Sequence, residues 1–374
     1  MTAPRYRYVF LGLSITSSWG NGHATTYRAL LRALAARGHE VLFLERDRPY
    51  YAANRDLPCP PFARTELYSS LDELRDRFAD DVRGADLVVV GSYVPDGTLV
   101  GEWVTSIAQR GRAAFYDIDT PITLRKMMRG DDEYISSALV PRYGLYLSFT
   151  GGPTLALLER RFGATAARPL YCSVDPDLYS PEEIEPRWDL GYLGTYSDDR
   201  QPALDRLLLE PASTWADGRF IVCGAQYPRD LLLPPNVERL THLPPIEHSR
   251  FYSGQRFTLN ITRDAMMRSG WSPSVRLFEA AACATPILSD RWKGLEHFLQ
   301  PGKEILVVDS PGAVLGYLRD LSVRDRVAIG QAARLRVLAE HTSGHRAEAL
   351  EGYTRELFTE RASSAMPRRY ANAQ

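Results

Sequence analysis

At 374 residues, with 44% hydrophobic and 24% charged side chains, the chain is too long for one core and too apolar to be disordered, so two domains are expected. A formal net charge of −1 gives no basis for a nucleic-acid or anionic-membrane partner, while leaving room for a small anion held by a few local cations. Four cysteines with no C-x-x-C pair argue against structural zinc and a disulfide-stapled secreted domain; with no clear signal-peptide layout and no integral membrane segment, a cytoplasmic protein is expected.

The chain opens on a buried-strand run, "YRYVFLGLSI", and a loop, "TSSWGNGH". A helix follows, with Tyr27, Leu30, Leu31 and Leu34 on one face and Gly38 as its stop. "HEVLFLE" is the second strand, and Ser70 with Glu73 opens a helix striped by Leu71, Leu74, Phe78 and Val82. "ADLVVVGSY", "RAAFYDID" and "LYLSFTGG" are three further buried strands with helical stretches between them. Such alternation predicts an α/β doubly wound parallel sheet. From about 170 to 190 the texture turns Pro-rich and acidic without helical period, as expected of a passage between domains. Alternation resumes with strands "DLGYLG", "RFIVCG", "FTLNIT", "PILSD" and "EILVVD", a helix in "DRQPALDRLLL", and mostly helix after Asp309. The expected layout is two Rossmann-like domains facing across a cleft, at 1–178 and 179–342, a helix at 343–358, and a flexible tail at 359–374.

Gly12, Gly20 and Gly22 do not have the G-x-G-x-x-G spacing of a dinucleotide-binding turn, and no P-loop motif occurs, which disfavours an NAD enzyme and a P-loop kinase. In "YLGTYSDDR", Gly194 and Thr195 follow a strand and precede a helix with Arg200 at its start; this is either a phosphate loop or a plain strand–helix turn. Arg263 falls just past the C-terminal end of a predicted strand, where open α/β sheets bind ligands.

The stretch "SPSVRLFEAAACATPILSD" predicts a helix too apolar for the surface, capped by Ser272 or Ser274 and carrying Arg276 and Glu279 on one face. With a rise of 1.5 Å per residue, Glu279 lies roughly 7–8 Å beyond Ser274, a span that suits a diphosphate at the helix start and a ribose diol at the carboxylate. The alternative is a simple Arg276–Glu279 ion pair.

These residues resemble GT-B fold glycosyltransferases, and more closely their CgeB-like (spore-maturation type) group. The resembling stretches are "PLYCSVDPDLYSP", "YLGTYSDDR", "LNITRDAMMRSGWSPSVRLFEAAACATPILSD" and "WKGLEHFLQPGKEILV". The resemblance implies that Gly194, Thr195, Arg263 and Arg276 line the donor diphosphate and that Glu279, the second Glu of a Glu–seven residues–Glu motif, binds the ribose. The first Glu of that motif falls at Trp271, so the contact to the transferred sugar is absent or remodelled. The resemblance also implies that the helix "HRAEALEGYTRELF" crosses back to the first domain.

The first domain is expected to hold the acceptor, through Asn21, Asp117 and Asp119. His23, at the mouth of the first helix, is either a general base with an ordinary imidazole pKa near 6.5 or a loop-bracing residue. Asp117-x-Asp119 mimics a metal-binding pair, but in this layout Asp119 is read as facing the cleft, orienting an acceptor or His23, or as a strand-end turn residue. The expectation is therefore metal-independent transfer of a sugar from a nucleoside-diphosphate sugar to an unknown acceptor hydroxyl, leaning to retention, with no cofactor beyond the nucleotide sugar as co-substrate. The alternatives are a non-catalytic nucleotide-sugar-binding protein of an assembly pathway and a GT-B-shaped sugar-nucleotide epimerase.

Overall fold

The computed structural model describes residues 4–364. The first sheet comprises β1 (Arg7–Gly12), β2 (Glu40–Arg46), β3 (Arg64–Tyr68), β4 (Leu87–Gly91), β5 (Ala113–Asp117), β6 (Leu145–Ser148) and β7 (Ala167–Pro169), all parallel, in the order β3-β2-β1-β4-β5-β6-β7. The second comprises β8 (Trp188–Leu193), β9 (Phe220–Cys223), β10 (Val237–Leu240), β11 (Gln255–Asn260), β12 (Ile287–Ser289) and β13 (Leu306–Val307), also parallel, in the order β10-β9-β8-β11-β12-β13. The central strands β4, β5 and β6 are buried throughout, because helices cover both sheet faces, and they read as continuous apolar runs for that reason.

Edge strands β3, β7 and β10 are absent from the sequence reading. They are short and carry charged residues (Arg64, Glu66, Arg168, Glu238, Arg239), so they lack the apolar run that marks their neighbours. The helix expected in "DRQPALDRLLL" is instead a composite, Gln201–Leu204, a wider π turn Asp205–Leu209, and Glu210–Thr214 with Pro211 in its first turn. Proline has no N–H to return to the preceding turn, and the wider turn accommodates it.

Each sheet begins at its centre and reverses direction there, between β1 and β4 and between β8 and β11. Open α/β sheets form a crevice at that reversal, beyond the carboxyl ends of the strands. The loops after β1 and β5 and the loops after β8 and β11 line a single cavity, so the two crevices open toward each other.

The chain passes between the domains twice, side by side: Val174 N–H donates to His341 O and Ser343 N–H donates to Val174 O. Helix Ser343–Ser364 then packs on the first domain, with Thr354 Oγ1 3.2 Å from the Tyr8 hydroxyl and Glu351 accepting from Arg37 and lying 2.7 Å from His39 Nε2. This helix continues to Ser364, past the boundary expected for a flexible tail at 359–374; residues 365–374 lie outside the described residues. Among the described residues no helix is long and apolar enough to cross a membrane.

Candidate active site

A cavity of about 340 Å³ lies between the two domains. Its second-domain wall includes Gly194, Thr195, Arg200, Arg263, Ser274, Arg276 and Glu279; its first-domain wall includes Asn21, His23 and Asp119. The loops that carry these residues are fixed by different means on the two sides.

On the second-domain side, helix Val275–Ala282 is buried along almost its whole length. Ser274 occupies the N-cap position without bonding the helix; its Oγ donates instead to Asn260 Oδ1 at 2.8 Å. The first turn is therefore uncapped by a side chain, and its residues Ser274, Val275 and Arg276 line the cavity. Ser272 departs from its expected place: it is buried, donates to Gly270 O and lies 2.8 Å from Thr150 Oγ1, on the seam between domains rather than on the cavity wall.

Arg276 and Glu279 do not pair with each other, contrary to the ion-pair alternative. The Arg276 guanidinium lies 4.7 Å above the Tyr192 ring, with Nε donating to Leu193 O and Nη1 to Asn260 Oδ1 at 3.0 Å. Gly194 makes room for this arrangement: a Cβ there would fall 2.7 Å from Arg276 Nη2 and 2.6 Å from the Tyr192 oxygen. Glu279 is 2% exposed and accepts from Tyr179 at 2.8 Å and Tyr252 at 3.1 Å, with His248 Nδ1 3.6 Å away. Burial alone would raise its pKa, but the neighbouring His248 ring and the hydrogen bonds from Tyr179 and Tyr252 outweigh burial and hold the carboxyl below its ordinary range. An ionised carboxylate has about four acceptor positions, so it can still take a vicinal diol with both oxygens already bonded once.

Arg263 bridges two carboxylates, Asp119 from the first domain and Asp199 from its own, each at 3.4 Å. Arg200 donates to Thr195 O while its buried Nε has no partner among the described residues. Asp290 bonds the backbone N–H and hydroxyl of Thr262, both at 2.7 Å, and so fixes the turn from which Arg263 projects.

On the first-domain side the β1 loop is pinned from beneath. Glu45 is fully buried and accepts from Ser14 Oγ, Ile15 N, Thr16 N and Thr16 Oγ1 at 2.6–3.1 Å. Asp56 binds Ser18 and forks onto Arg28 with two 2.8 Å bonds. Asn21 spends its amide on Ser14 O and Ser17 O and its oxygen on His23 N, so its polar atoms brace the loop instead of facing an acceptor.

His23 reaches the cavity, but its environment corrects the expected ordinary imidazole. Burial lowers its pKa to about 4, its Nδ1 is buried without a partner, and its ring stands edge-on to Tyr93 at 5.0 Å. The ring is thus neutral at neutral pH and a weak base. Asp117, expected to contact acceptor, lies off the cavity: it is fully buried, accepts from Tyr146 and Thr123, and burial pushes its pKa up to about 6. Asp119 does line the cavity, 6% exposed, accepting from Tyr93 at 2.6 Å through Oδ2 while its buried Oδ1 has no partner. Burial raises its pKa, opposed chiefly by the Arg263 charge. The Asp119 N–H donates to Asp117 Oδ1 at 3.2 Å, but the two carboxylates take different side-chain partners and only Asp119 lines the cavity.

Trp271 also departs from the cavity wall. It adopts φ +43°, and its ring packs so closely on two glycines that a Cβ would fall 2.5 Å from it at Gly152 and 2.6 Å from it at Gly294. Its carbonyl accepts from Gly151 N at 3.0 Å, across the domain seam. The tryptophan at this position staples the domains together.

Sequence reasoning missed Tyr179, Tyr252, His248, Asn260, Tyr192, Tyr93 and Asp199. No local spacing marks them; Tyr179 sits in the interdomain passage 100 residues before the Glu279 it serves.

Residues 200–352 match the model of the glycosyl transferase-like family. No curated protein matches the chain at a significant level. Among solved structures, the chain is similar to sucrose-phosphate synthase from Thermosynechococcus elongatus, with 16% identity and a TM-score of 0.67 over 95% of this chain and 100% of that one. It is similar to Anabaena HepE in complex with UDP-glucose, with 12% identity and a TM-score of 0.68 over 95% and 100% of the two chains. A glycosyltransferase from Rickettsia africae matches at 11% identity and a TM-score of 0.64, over 95% and 99%. These likenesses show that the two facing sheets form the GT-B fold.

Proposed function

We propose that the chain is a glycosyltransferase, a reading supported by the family match over residues 200–352 and by the GT-B architecture of both domains. In this reading it transfers a sugar from a nucleoside-diphosphate sugar to an acceptor hydroxyl, with retention and without a metal, as a cytoplasmic member of the CgeB-like group. The observation that carries the donor assignment is the cavity wall on which Arg200, Arg263 and Arg276 accompany the buried Glu279. In this reading the diphosphate rests against Gly194, Thr195 and the uncapped start of helix Val275–Ala282, and Glu279 receives the ribose diol. As the bond from the anomeric carbon to the diphosphate oxygen breaks and the acceptor oxygen bonds that carbon, the departing diphosphate gains the negative charge and takes the acceptor's proton, and the fixed guanidiniums and helix N–H groups stabilise that charge without reorganising. The solved complexes of HepE with UDP-glucose and with UDP and glucose support a uridine nucleotide as the first donor to test.

The neutral character of His23 supports retention. An inverting enzyme needs a base matched to the working pH, and an imidazole held near 4 is a poor one. His23 and Asp119 act instead as hydrogen-bonding groups that orient the acceptor and the transferred sugar. The domains fall at 1–178 and 179–342, with the helix from 343 returning to the first.

A thermal-shift and calorimetric panel of UDP-, GDP-, ADP- and dTDP-sugars tests the reading. One donor should stabilise the protein, and Glu279→Ala should weaken its binding about 100-fold, as expected from losing two hydrogen bonds to a charged group. Unchanged affinity in that variant would refute the ribose assignment. Donor binding with no transfer to any acceptor extract would leave a nucleotide-sugar-binding protein.

A further inference from the structure

Arg263 is held loosely and from two sides. Its Nη1 lies 3.4 Å from Asp119 Oδ2, across the cleft, and its Nε lies 3.4 Å from Asp199 Oδ2. The contrast with Arg28 is direct, since that residue forks onto Asp56 with two bonds of 2.8 Å to fix a loop. Short paired bonds are what a structural arginine–carboxylate contact looks like; single contacts at the edge of hydrogen-bonding distance are not.

The other partner in this contact is also incompletely satisfied. Asp119 is 6% exposed, its Oδ1 has no partner among the described residues, and its Oδ2 is shared between the Tyr93 hydroxyl and Arg263. A buried carboxylate oxygen without a partner, on the wall of a cavity, is an acceptor awaiting a donor. Within the same cavity Arg200 Nε is a buried donor without an acceptor. A diphosphate carries more charge than one carboxylate and offers several oxygens to the planar guanidinium fork, so it competes effectively for Arg263.

We propose that Asp119 is the resident counter-ion of Arg263, that the donor diphosphate displaces it, and that the displaced carboxylate then receives the acceptor hydroxyl. Asp119 thereby orders binding, donor before acceptor. The inference rests on the donor site proposed above. It gives Asp119 opposite effects on the two substrates, opposing the donor and favouring the acceptor. A merely structural ion pair predicts the reverse for the donor, because breaking it would loosen the cleft.

The test is calorimetric titration of UDP, GDP, ADP and dTDP, with the matching nucleosides, into wild type, Asp119→Asn, Arg263→Gln and the double variant. Asparagine keeps an acceptor for Tyr93, and thermal melting confirms that each variant folds. The best diphosphate should bind about tenfold tighter to Asp119→Asn while its nucleoside changes less than about twofold, and the gain should vanish in the Arg263→Gln background. Asp199→Asn should give a smaller gain in the same direction, since Asp199 is more exposed than Asp119. Diphosphate binding that is equal or weaker in both asparagine variants, or a gain that survives without Arg263, would overturn the displacement alone. Failure of wild type to bind any of the four diphosphates would overturn the donor site and the displacement with it.

Discussion

The two walls of the cleft come from domains of similar topology, yet their chemistry differs. Among the described residues, every arginine lining the cavity, Arg200, Arg263 and Arg276, belongs to the second domain. The first-domain wall contributes hydroxyls, an amide, a neutral imidazole and the single carboxylate of Asp119. The carboxylates that organise the first wall, Glu45 and Asp56, are turned inward to hold the β1 loop. On the second wall the ionised groups themselves face the cavity and are steadied by neutral partners such as Asn260, Tyr179, Tyr192 and Tyr252. One wall gathers fixed cations, and the other presents a polar surface that carries one carboxylate. That division matches a leaving diphosphate on one side and a hydroxyl acceptor on the other.

The largest effect should come from degrading the charged wall. Arg276→Lys keeps the charge but loses the planar fork and the stack on Tyr192, and should weaken nucleoside-diphosphate binding about 10- to 100-fold, read by calorimetry. If lysine substitutes fully, Arg276 acts only as a point charge and the contrast between fixed and loose cations is wrong.

An intermediate effect is expected from the scaffold of the first-domain wall. Glu45→Gln removes the charge that four donors share and should cost about 2 kcal/mol of stability, measured by denaturant unfolding. Nucleotide affinity should stay within about twofold, because the β1 loop lies across the cleft from the arginines. A large loss of nucleotide binding in this variant would show that the walls are not independent.

The smallest effect concerns His23 and is seen as a slope with pH. Its folded pKa is lowered to about 4 from an ordinary 6.5, so the unfolded chain binds a proton below pH 6.5 that the folded chain refuses. Wild type therefore loses stability as pH falls from about 6.5 toward 4, and His23→Asn lacks that loss. The melting temperature of the variant relative to wild type should rise by a few degrees between pH 7 and pH 5. A constant difference across that range would mean that His23 titrates normally and regains candidacy as a base.

Much of the architecture is legible locally. A strand buried on both faces must be apolar along its length, and a helix flanked by such strands must carry one apolar stripe, so the core strands and the main helices can be read from pattern alone. Strands β3, β7 and β10 escape because an edge strand buries too little to leave that pattern. Arg263, Arg276 and Glu279 are legible for a similar reason: a charge set in an apolar segment or at a strand's carboxyl end stands out from its neighbours.

The sequence by itself determined two alternating α/β halves, the Pro-rich passage between them, and the helix that presents Arg276 and Glu279. Only the tertiary structure decided what those charges meet. Asp119 reaches Arg263 across 144 residues, Glu279 takes its hydroxyl partners from Tyr179 and Tyr252, and Trp271 turns into the domain seam. It also decided that Asp117 and Ser272 are spent on the interior and that His23 is neutral. The physical reason is range. Backbone pattern is set by burial within a few residues, whereas the charge state and availability of a polar group are set by whatever distant segments fold against it.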